Sequence, residues 1–509
     1  MKKFYLSLCV FVSGASILAI EILGTRTLGP YYGVSLFLWS ALIGVTLIAL
    51  SVGYFIGGRV ADRRATFALI GLLLLISGIW VLIIPLIRGP MLIVADNFEL
   101  RVAVFLTAII LFFPPLVLLG MISPITLRLR ATELAIVGRS AGNLYAISTV
   151  AGVLSAVGTG FFFIPYFGVT FLTLLIGAAL MATGLVAFMI AGNARATRNA
   201  ATVVIAGGLL ALILFVLSSE SADGNAIAEI QSPYAELRVE DGIDGRYLFV
   251  DGTVHSLADT STWQSRLEYV AVMEIPRYMF DRPGAALLVG LGGGSLVKSY
   301  TFWNWKVDAV EIDPDIVALA YAHFGLAYGE TVVYTMDGRR YLKDCTKEYS
   351  LILLDAFGSS SIPFHLVSAE AFRVCRERLE PDGVLAINVW AIGWNDRIVR
   401  SLAATLRREF TDVLALPIAE PPDRLGNVVL VAANRPLELK REVERDYLDP
   451  SYRNGPQYQR VHAWDNRFTP ETAGAEIVTD DRNFVDLWSE AINYAARRDL
   501  RRLRREQGG

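Results

Sequence analysis

Cysteine and histidine are scarce in this chain, and their spacing indicates no metal centre. Among 509 residues there are four histidines and three cysteines, namely Cys9, Cys345 and Cys375. They form no Cys-x-x-Cys pair and no metal-spaced cluster, so the sequence favours neither a zinc site nor a redox dithiol. We expect unpaired or buried thiols and no bound metal.

An excess of charge of one sign is also lacking. The 46 lysines and arginines nearly balance the 49 acidic residues, which gives a net charge of -3. No long basic run faces the ligand site predicted below, so we expect no nucleic acid partner. The basic run from Arg497 to Arg505 is typical of a solvated helix face, and a contact with anionic lipid headgroups is the alternative.

Hydrophobic residues, in contrast, are abundant and are concentrated before about Glu220. They make up 54% of the chain, and the mean hydropathy is +0.47. A helix needs about 20 apolar residues to cross a bilayer. Glu21 and Arg26 follow the first apolar stretch without a small-residue cleavage site, so it is interpreted as a retained helix and not as a signal peptide. Seven stretches meet the length requirement: about 4–23, 36–57, 66–87, 101–122, 142–163, 168–191 and 201–218.

Basic residues before the first stretch and after the even-numbered ones predict the orientation of these helices. The positive-inside rule places the N-terminus and these loops in the cytoplasm, as in a multi-pass protein of the cell inner membrane. Seven spans would then leave the rest of the chain on the periplasmic side, whereas a nucleoside-binding domain is expected in the cytoplasm. The sequence is compatible with the second part of the chain on either side of the membrane. The residues concerned are Lys2, Lys3, Arg59, Arg63, Arg64, Arg128, Arg130, Arg139, Arg195 and Arg198.

The remainder of the chain is patterned like a soluble α/β protein. Residues 227–256 alternate apolar and polar side chains between Asp-Gly turn signals, which predicts a small antiparallel sheet. A helix is expected over about 261–280. Strands and helices alternate from residue 285, which favours a parallel sheet flanked by helices. The predicted fold is an N-terminal transmembrane bundle of about seven helices, a β-hairpin subdomain and a C-terminal Rossmann-type, methyltransferase-like domain. The expected boundaries are 1–219, 220–260 and 261–509.

The first strand of this sheet runs into a glycine-rich turn, and acidic residues end the strands that follow. Glycines directly after a strand let the backbone approach a ligand closely, and ligands bind at the carboxyl ends of such strands. Acids at three successive strand ends would therefore surround one crevice, although each could instead cap the next helix. Capping is the expectation for Asp313. The residues are Gly290, Gly292, Gly293 and Gly294 of the turn and Glu311, Asp337 and Asp355 of the strand ends.

Taken together, these motifs resemble the membrane-fused bacterial branch of the spermidine synthase (polyamine aminopropyltransferase) family. The resemblance covers roughly residues 230–395, with a looser match at 478–481. Its motifs are Ser232-Pro233-Tyr234, Val250-Asp251-Gly252, the 290–294 loop, Val310-Glu311-Ile312-Asp313, Asp337-Gly338-Arg339, Leu354-Asp355-Ala356-Phe357 and Ile362-Pro363-Phe364-His365-Leu366.

The resemblance implies a reaction and a role for each motif. Decarboxylated S-adenosylmethionine would donate an aminopropyl group to putrescine or a related amine, with release of methylthioadenosine and without a prosthetic group. Glu311 would bind the ribose, Asp337 and Gly338 the adenine edge, and the glycines would pack against the nucleoside. Asp355 would orient and deprotonate the amine, with Tyr234 and His255 also in the substrate site. The implied partners are this donor, the amine, a lipid bilayer and a second copy of the chain as a homodimer.

Departures from the family pattern keep two other functions open. Ser295 and Gly358 stand where the family has aspartates, His255 replaces a glutamine, and Trp263-Gln264 replaces a tyrosine-containing segment. One alternative is a methyltransferase that uses intact S-adenosylmethionine. The other is a transporter or sensor that binds a nucleoside without catalysis, in which Glu21 and the transporter-like loop near Asp62 would matter.

Overall fold

A computed structural model describes most of the chain. The described residues are 2–32, 36–95, 97–130, 137–220, 226–329, 331–356, 362–419, 421–443, 455–489 and 492. They form two compact units, of which the first is Met1–Gly224 with Gln231–Ala235 and the second is Asn225–Ile230 with Glu236–Gly509.

The first unit consists of helices. Seven are long and apolar enough to cross a membrane, which confirms the predicted bundle of about seven spans in a multi-pass membrane protein. The fifth span is continued through a π-helical turn, Thr159–Phe163, into the short helix α6. The helices are α1 (Lys2–Tyr32), α2 (Leu36–Arg64), α3 (Phe67–Ala95), α4 (Leu100–Arg130), α5 (Val137–Gly158), α6 (Ile164–Phe167), α7 (Val169–Ala191) and α8 (Ala194–Glu220).

Glycines let the helices of this unit pack closely. A Cβ atom on Gly53 of α2 would lie 3.0 Å from the Cα atom of Gly120 in α4. One on Gly78 of α3 would lie 2.7 Å from the carbonyl oxygen of Gly177 in α7. Lipid tails are as apolar as the helix surfaces, so no hydrophobic force drives such helices together. Small residues stabilise the crossings because they allow close van der Waals contact between the two backbones.

The second unit begins with the predicted antiparallel sheet. Its strands lie in the order β1-β2-β3-β4. The turn between β3 and β4 is formed by Asp251 (φ +46°) and Gly252 (φ +74°), as its Asp-Gly signal predicts. The strands are β1 (Ala226–Gln231), β2 (Glu236–Gly242), β3 (Gly245–Val250) and β4 (Thr253–Ala258).

A larger sheet of seven strands forms the centre of this unit. The order is β10-β11-β9-β8-β5-β6-β7. Strands β5 to β9 pair in parallel, as predicted. Strands β10 and β11 add an antiparallel extension that the sequence pattern did not predict. The strands are β5 (Ala285–Val289), β6 (Lys306–Glu311), β7 (Val332–Thr335), β8 (Tyr349–Leu354), β9 (Leu379–Ile392), β10 (Asp412–Pro417) and β11 (Leu425–Ala433).

Helices cover both faces of this sheet, and apolar clusters fill the space on each side. Strands β5 and β8 are buried on both faces, which is why they are nearly continuous apolar runs in the sequence, whereas the edge strand β7 is partly exposed. The helices are α9 (Glu268–Met273), α10 (Ser295–Phe302), α11 (Pro314–His323), α12 (Gly338–Asp344), α13 (Ala369–Glu377), α14 (Arg397–Leu406) and α15 (Pro456–Asp465).

The helix predicted over about 261–280 is wrong for its first seven residues, and the remainder is two short pieces and not one continuous helix. Only α9 and a 3₁₀ turn, Ile275–Met279, are helical there. The Asp259 carboxylate accepts hydrogen bonds from the backbone N–H groups of Ser261 and Thr262, both at 2.9 Å, and so stabilises a turn in place of the first helical residues. Pro276 lacks the N–H that would continue α9, and the chain turns there.

Candidate active site

The glycine-rich loop joins the end of β5 to the start of α10. Gly290, Gly292 and Gly294 have φ values of +96°, +51° and +72°, which side chains with a Cβ atom rarely adopt. A Cβ atom on Gly290 would lie 2.4 Å from the carbonyl oxygen of Asp355. The glycines therefore allow both the left-handed backbone and, at Gly290, the close approach of Asp355, the residue that follows β8.

Glu311 ends β6 and ties that strand to the glycine loop. One carboxylate oxygen accepts a 2.9 Å hydrogen bond from the backbone N–H of Leu291, and the other accepts one of 3.1 Å from that of Asp313. Glu311 is buried. Burial raises the pKa of Glu311, while the bonds from the Leu291 and Asp313 N–H groups lower it. Each oxygen keeps a lone pair for a further donor, such as a ribose hydroxyl.

Asp337 follows β7 and caps α12. Its Oδ1 accepts from the backbone N–H of Arg340 at 2.8 Å, and its Oδ2 lies 2.8 Å from Nε2 of His365. A Cβ atom on Gly338 would lie only 2.3 Å from a methyl carbon of Val289, so this helix begins directly against β5. Asp337 is thus a helix cap at the edge where a ligand is predicted, and its adenine-binding role stays a prediction. Asp313 caps α11 as expected, because its side chain accepts from the N–H of Asp315.

Asp355 follows β8 and has a polar partner on each carboxylate oxygen. Tyr269 of α9 donates to Oδ2 at 3.2 Å, and Asn388 of β9 donates to Oδ1 at 2.9 Å. Burial raises the pKa of Asp355 to about 7, and the hydrogen bonds from Asn388 and Tyr269 limit the rise. Burial and the neighbouring Asp355 carboxylate raise the pKa of Tyr269 well above its usual value, so its hydroxyl remains a donor. A carboxyl group that titrates near neutral pH is suited to accept a proton from a substrate.

The small antiparallel sheet supplies one further contact to the loop. The Ser256 hydroxyl of β4 accepts a 2.8 Å hydrogen bond from the backbone N–H of Gly293. The adjacent His255 is partly buried, and burial lowers its pKa to about 4. His255 is therefore neutral at pH 7. Its predicted role in substrate binding stays a prediction.

The remaining predicted residues lie in the first unit or outside the described residues. Tyr234 is half-exposed and lies in Gln231–Ala235, which groups with the first unit. Residues 357–361, including Gly358, and the basic run from Arg497 lie outside the described residues. Glu21 lies on α1, where its side chain hydrogen-bonds to Thr46 of α2.

The acids Glu311, Asp337 and Asp355 therefore share one edge of the sheet. They follow β6, β7 and β8, which together with β5 are neighbours in the order β8-β5-β6-β7. Backbone hydrogen bonds fix this arrangement: Asp355 donates to the carbonyl of Val289, and Met336 to that of Glu311. Among the residues described, no group of three or more His, Cys, Asp or Glu is arranged to hold a metal ion.

Sequence reasoning missed three residues of this site, Tyr269, Asn388 and Asn427. Asn427 of β11 donates to the Asn388 side-chain oxygen at 2.9 Å. An asparagine inside the apolar run Val384 to Val389 was the available signal, because a buried carboxamide needs partners. The position of Tyr269 had no comparable signal.

Comparison with known proteins relates the chain to one group of enzymes. No family model matches it. It is 29% identical over 238 residues to the polyamine aminopropyltransferase of Vibrio vulnificus (strain CMCP6), a match covering 44% of this chain and 77% of that protein. It is 32% identical over 148 residues to the polyamine aminopropyltransferase of Neisseria meningitidis serogroup B, which covers 28% of this chain and only 54% of that protein. A solved structure of a probable spermidine synthase from Corynebacterium glutamicum is 18% identical, with a TM-score of 0.41, and covers 50% of this chain and 96% of that one.

The chain combines a bundle of apolar helices with a Rossmann-type domain, and the sequence matches are to polyamine aminopropyltransferases. The resemblance predicted from the motifs is confirmed. The second unit is similar in sequence to polyamine aminopropyltransferases.

Proposed function

We propose that the chain transfers the aminopropyl group of decarboxylated S-adenosylmethionine to putrescine or a related amine, with release of methylthioadenosine. The observation that carries this proposal is the Asp355 carboxyl, which lies between Tyr269 and Asn388 at the carboxyl end of β8. Its pKa, raised by burial to about 7, suits a proton acceptor at physiological pH. The sequence relatives are named for the same reaction class.

The proposed chemistry needs an unprotonated amine in line with a carbon–sulfur bond. The amine nitrogen forms a bond to the aminopropyl carbon, and the bond from that carbon to the sulfonium breaks. The electron pair of the broken bond stays on sulfur, so the leaving group is a neutral thioether. Asp355 accepts the proton that the amine loses, and its raised pKa narrows the gap to the alkylammonium pKa of about 10. Holding the two reactants in line supplies much of the remaining rate.

Glu311 and the glycine loop are proposed to hold the nucleoside part of the donor. Both Glu311 oxygens already fix backbone N–H groups of the loop and of the next turn, so the carboxylate is held in place before a ligand arrives. A preorganised acceptor binds ribose hydroxyls without ordering a side chain, which reduces the entropy cost of binding.

The test is product formation by the full-length protein in detergent. Decarboxylated donor and a panel of diamines should yield methylthioadenosine and an aminopropylated amine of the expected mass. Asp355→Asn should reduce kcat by about 10²- to 10⁴-fold, the range for loss of a positioned general base. Asp308→Asn is the matched control, since Asp308 is also a buried carboxylate but lies near the opposite end of β6, bound to Lys347 and Tyr349. If none of the diamines yields product, the proposal is refuted.

A methyltransferase that uses the intact donor is the second candidate, and Ser295 is the observation that favours it. Ser295 is the first residue of α10, where the family pattern has an aspartate to pair with the aminopropyl ammonium. Calorimetry with intact and decarboxylated S-adenosylmethionine separates the two functions, because tighter binding of the intact donor would favour methyl transfer.

The side of the membrane on which this reaction runs can be tested at one position. Ile243, in the turn between β2 and β3, is 95% exposed. Labelling of Ile243→Cys by a membrane-impermeant maleimide in spheroplasts would place the transferase on the periplasmic side. Labelling only after lysis would place it in the cytoplasm.

A further inference from the structure

Two asparagines interrupt an otherwise apolar face of the large sheet. Residues Val384 and Ala386 of β9 and residues Val429 and Val431 of β11 belong to the core cluster on the side of α9. Side chains two positions apart in a strand point to the same face. Asn388 and Asn427 therefore continue this face toward the edge that carries Asp355.

The strand register makes the two asparagines diagonal neighbours. Asn388 lies opposite Val429, and Asn427 lies opposite Trp390. Diagonal pairs on one face of an antiparallel ladder are within reach of each other's side chains. Asn427 Nδ2 donates to Asn388 Oδ1 at 2.9 Å, and Asn388 Nδ2 donates to Asp355 Oδ1, also at 2.9 Å.

The orientation of the Asn388 carboxamide matters because its two ends have opposite hydrogen-bonding character. Its NH₂ group stabilises the ionised Asp355 carboxylate, whereas its oxygen would repel it. Asn388 is 2% exposed, so water does not compensate for a wrong orientation. A donor on the far side of Asn388 favours the productive orientation, and Asn427 is that donor.

We propose that Asn427 is a positioning residue for Asp355, which acts by holding the Asn388 carboxamide with its NH₂ group toward the carboxylate. This inference rests on the proposed function of Asp355 as the proton acceptor. Tyr269 of α9 is the titratable group that contacts Asp355 among the described residues, and it bonds the other carboxylate oxygen. The Asn427–Asn388 pair therefore controls Oδ1 independently of Tyr269.

The test compares Asn427→Leu, which removes the donor at similar volume, with Asn427→Gln, which retains a carboxamide. Asn434→Leu is the control, because exposed Asn434 follows the other end of β11 and accepts from the N–H of Thr411. All are full-length proteins in detergent. The titration midpoint of Asp355 is measured from its infrared carboxyl band. That band is assigned as the one absent when the same protein also carries Asp355→Asn. Steady-state kinetics from pH 6 to 9 are measured in parallel.

Asn427→Leu should raise the Asp355 midpoint by about one pH unit, the effect of one lost hydrogen bond to a carboxylate. At pH 7 its kcat should fall about fivefold and recover by pH 9, with KM for the nucleoside donor unchanged. Asn427→Gln should restore the wild-type midpoint, and Asn434→Leu should leave it unaltered. If Asn427→Leu does not fold, the isosteric Asn427→Asp takes its place, with a larger shift in the same direction expected.

An unchanged midpoint in Asn427→Leu, with or without loss of stability, would overturn the inference. The infrared result does not depend on turnover. A shifted midpoint in a protein that forms no product would therefore support the Asn427–Asn388–Asp355 coupling and refute only the proposed aminopropyl transfer.

Discussion

Glu311 at the end of β6 accepts a hydrogen bond from the backbone N–H of Leu291, twenty positions earlier in the chain. The bond fixes the conformation of the glycine loop through a carboxylate that is itself predicted to bind the ligand. The shape of the loop and the proposed nucleoside site would therefore be coupled through one side chain.

Replacing Glu311 by Gln should weaken nucleoside binding more than it weakens the fold. The amide keeps one acceptor for a backbone N–H but places an NH₂ group against the other, so the loop loses a partner. We expect affinity for methylthioadenosine to fall by about ten- to a hundredfold, equivalent to about 1.4 to 2.8 kcal/mol, as measured by calorimetry. Asp308→Asn on the same strand should lower stability and leave this affinity unchanged. Equal effects of both variants on affinity would show that Glu311 acts only through the fold.

Asp355→Asn should stabilise the protein above neutral pH. The pKa of Asp355 in the folded protein, about 7, is above its ordinary value near 4. The folded state therefore binds a proton that the unfolded state releases, and the free energy of unfolding falls as pH rises from about 4 to about 7. The asparagine variant lacks this loss, which amounts to about 1.4 kcal/mol for each pH unit between the two pKa values. Denaturant unfolding of the wild type and the variant at pH 5 and pH 8 measures the difference. A stabilisation that is the same at both pH values would contradict it.

His255 should make the protein sensitive to acid. Its pKa is lowered by burial to about 4, below the ordinary value of 6.5. The unfolded chain binds a proton that the folded protein excludes, so the free energy of unfolding falls as pH drops from about 6.5 to about 4. His255→Gln should remove about 3 kcal/mol of this loss. The variant and the wild type should show the same pH dependence between pH 7 and 8, and a steep acid limb retained in the variant would locate the sensitivity elsewhere.

Gly290→Ala should be far more costly than the same change at an open left-handed glycine. Both Gly290 and Gly474 have positive φ, but a Cβ atom at Gly290 would meet the Asp355 carbonyl at 2.4 Å, whereas at Gly474 nothing lies within 4 Å. Backbone strain alone costs about 1 kcal/mol at Gly474, and the clash should add about 2 kcal/mol or more at Gly290. Thermal unfolding of the two variants gives the comparison. Similar costs at the two sites would mean that the backbone at Asp355 shifts without penalty.

Ser295→Asp should change the choice between donors. An aspartate at the start of α10 restores the family's partner for the aminopropyl ammonium and repels the carboxylate of intact S-adenosylmethionine. We expect the affinity ratio of decarboxylated to intact donor to rise about tenfold. Ser295→Asn, which has the same shape without the charge, is the control. A ratio that does not change would place the ammonium away from Ser295.

The sequence predicted the parallel strands well because their signals are local. Ala285–Val289 is a buried run that ends in glycines, and Glu311 and Asp355 each end a strand that is largely buried. Strand order and register depend on residues far apart in the chain. The pairing of β11 with β9, and with it the Asn427–Asn388 contact, therefore could not be predicted from the local pattern of either strand. The error at 261–267 has the opposite cause, because the Asp259 carboxylate overrides a helical pattern by bonding to backbone N–H groups nearby.

The hydrogen bond from Gly293 to Ser256 means that the small sheet helps to close the nucleoside loop. We expect the backbone amide of Gly293 to exchange with solvent when β4 moves away from it, so local opening of the hairpins would expose the glycine loop. The rates of ligand binding and release would then depend on the local opening of the four-stranded sheet and would not require the seven-stranded sheet to move.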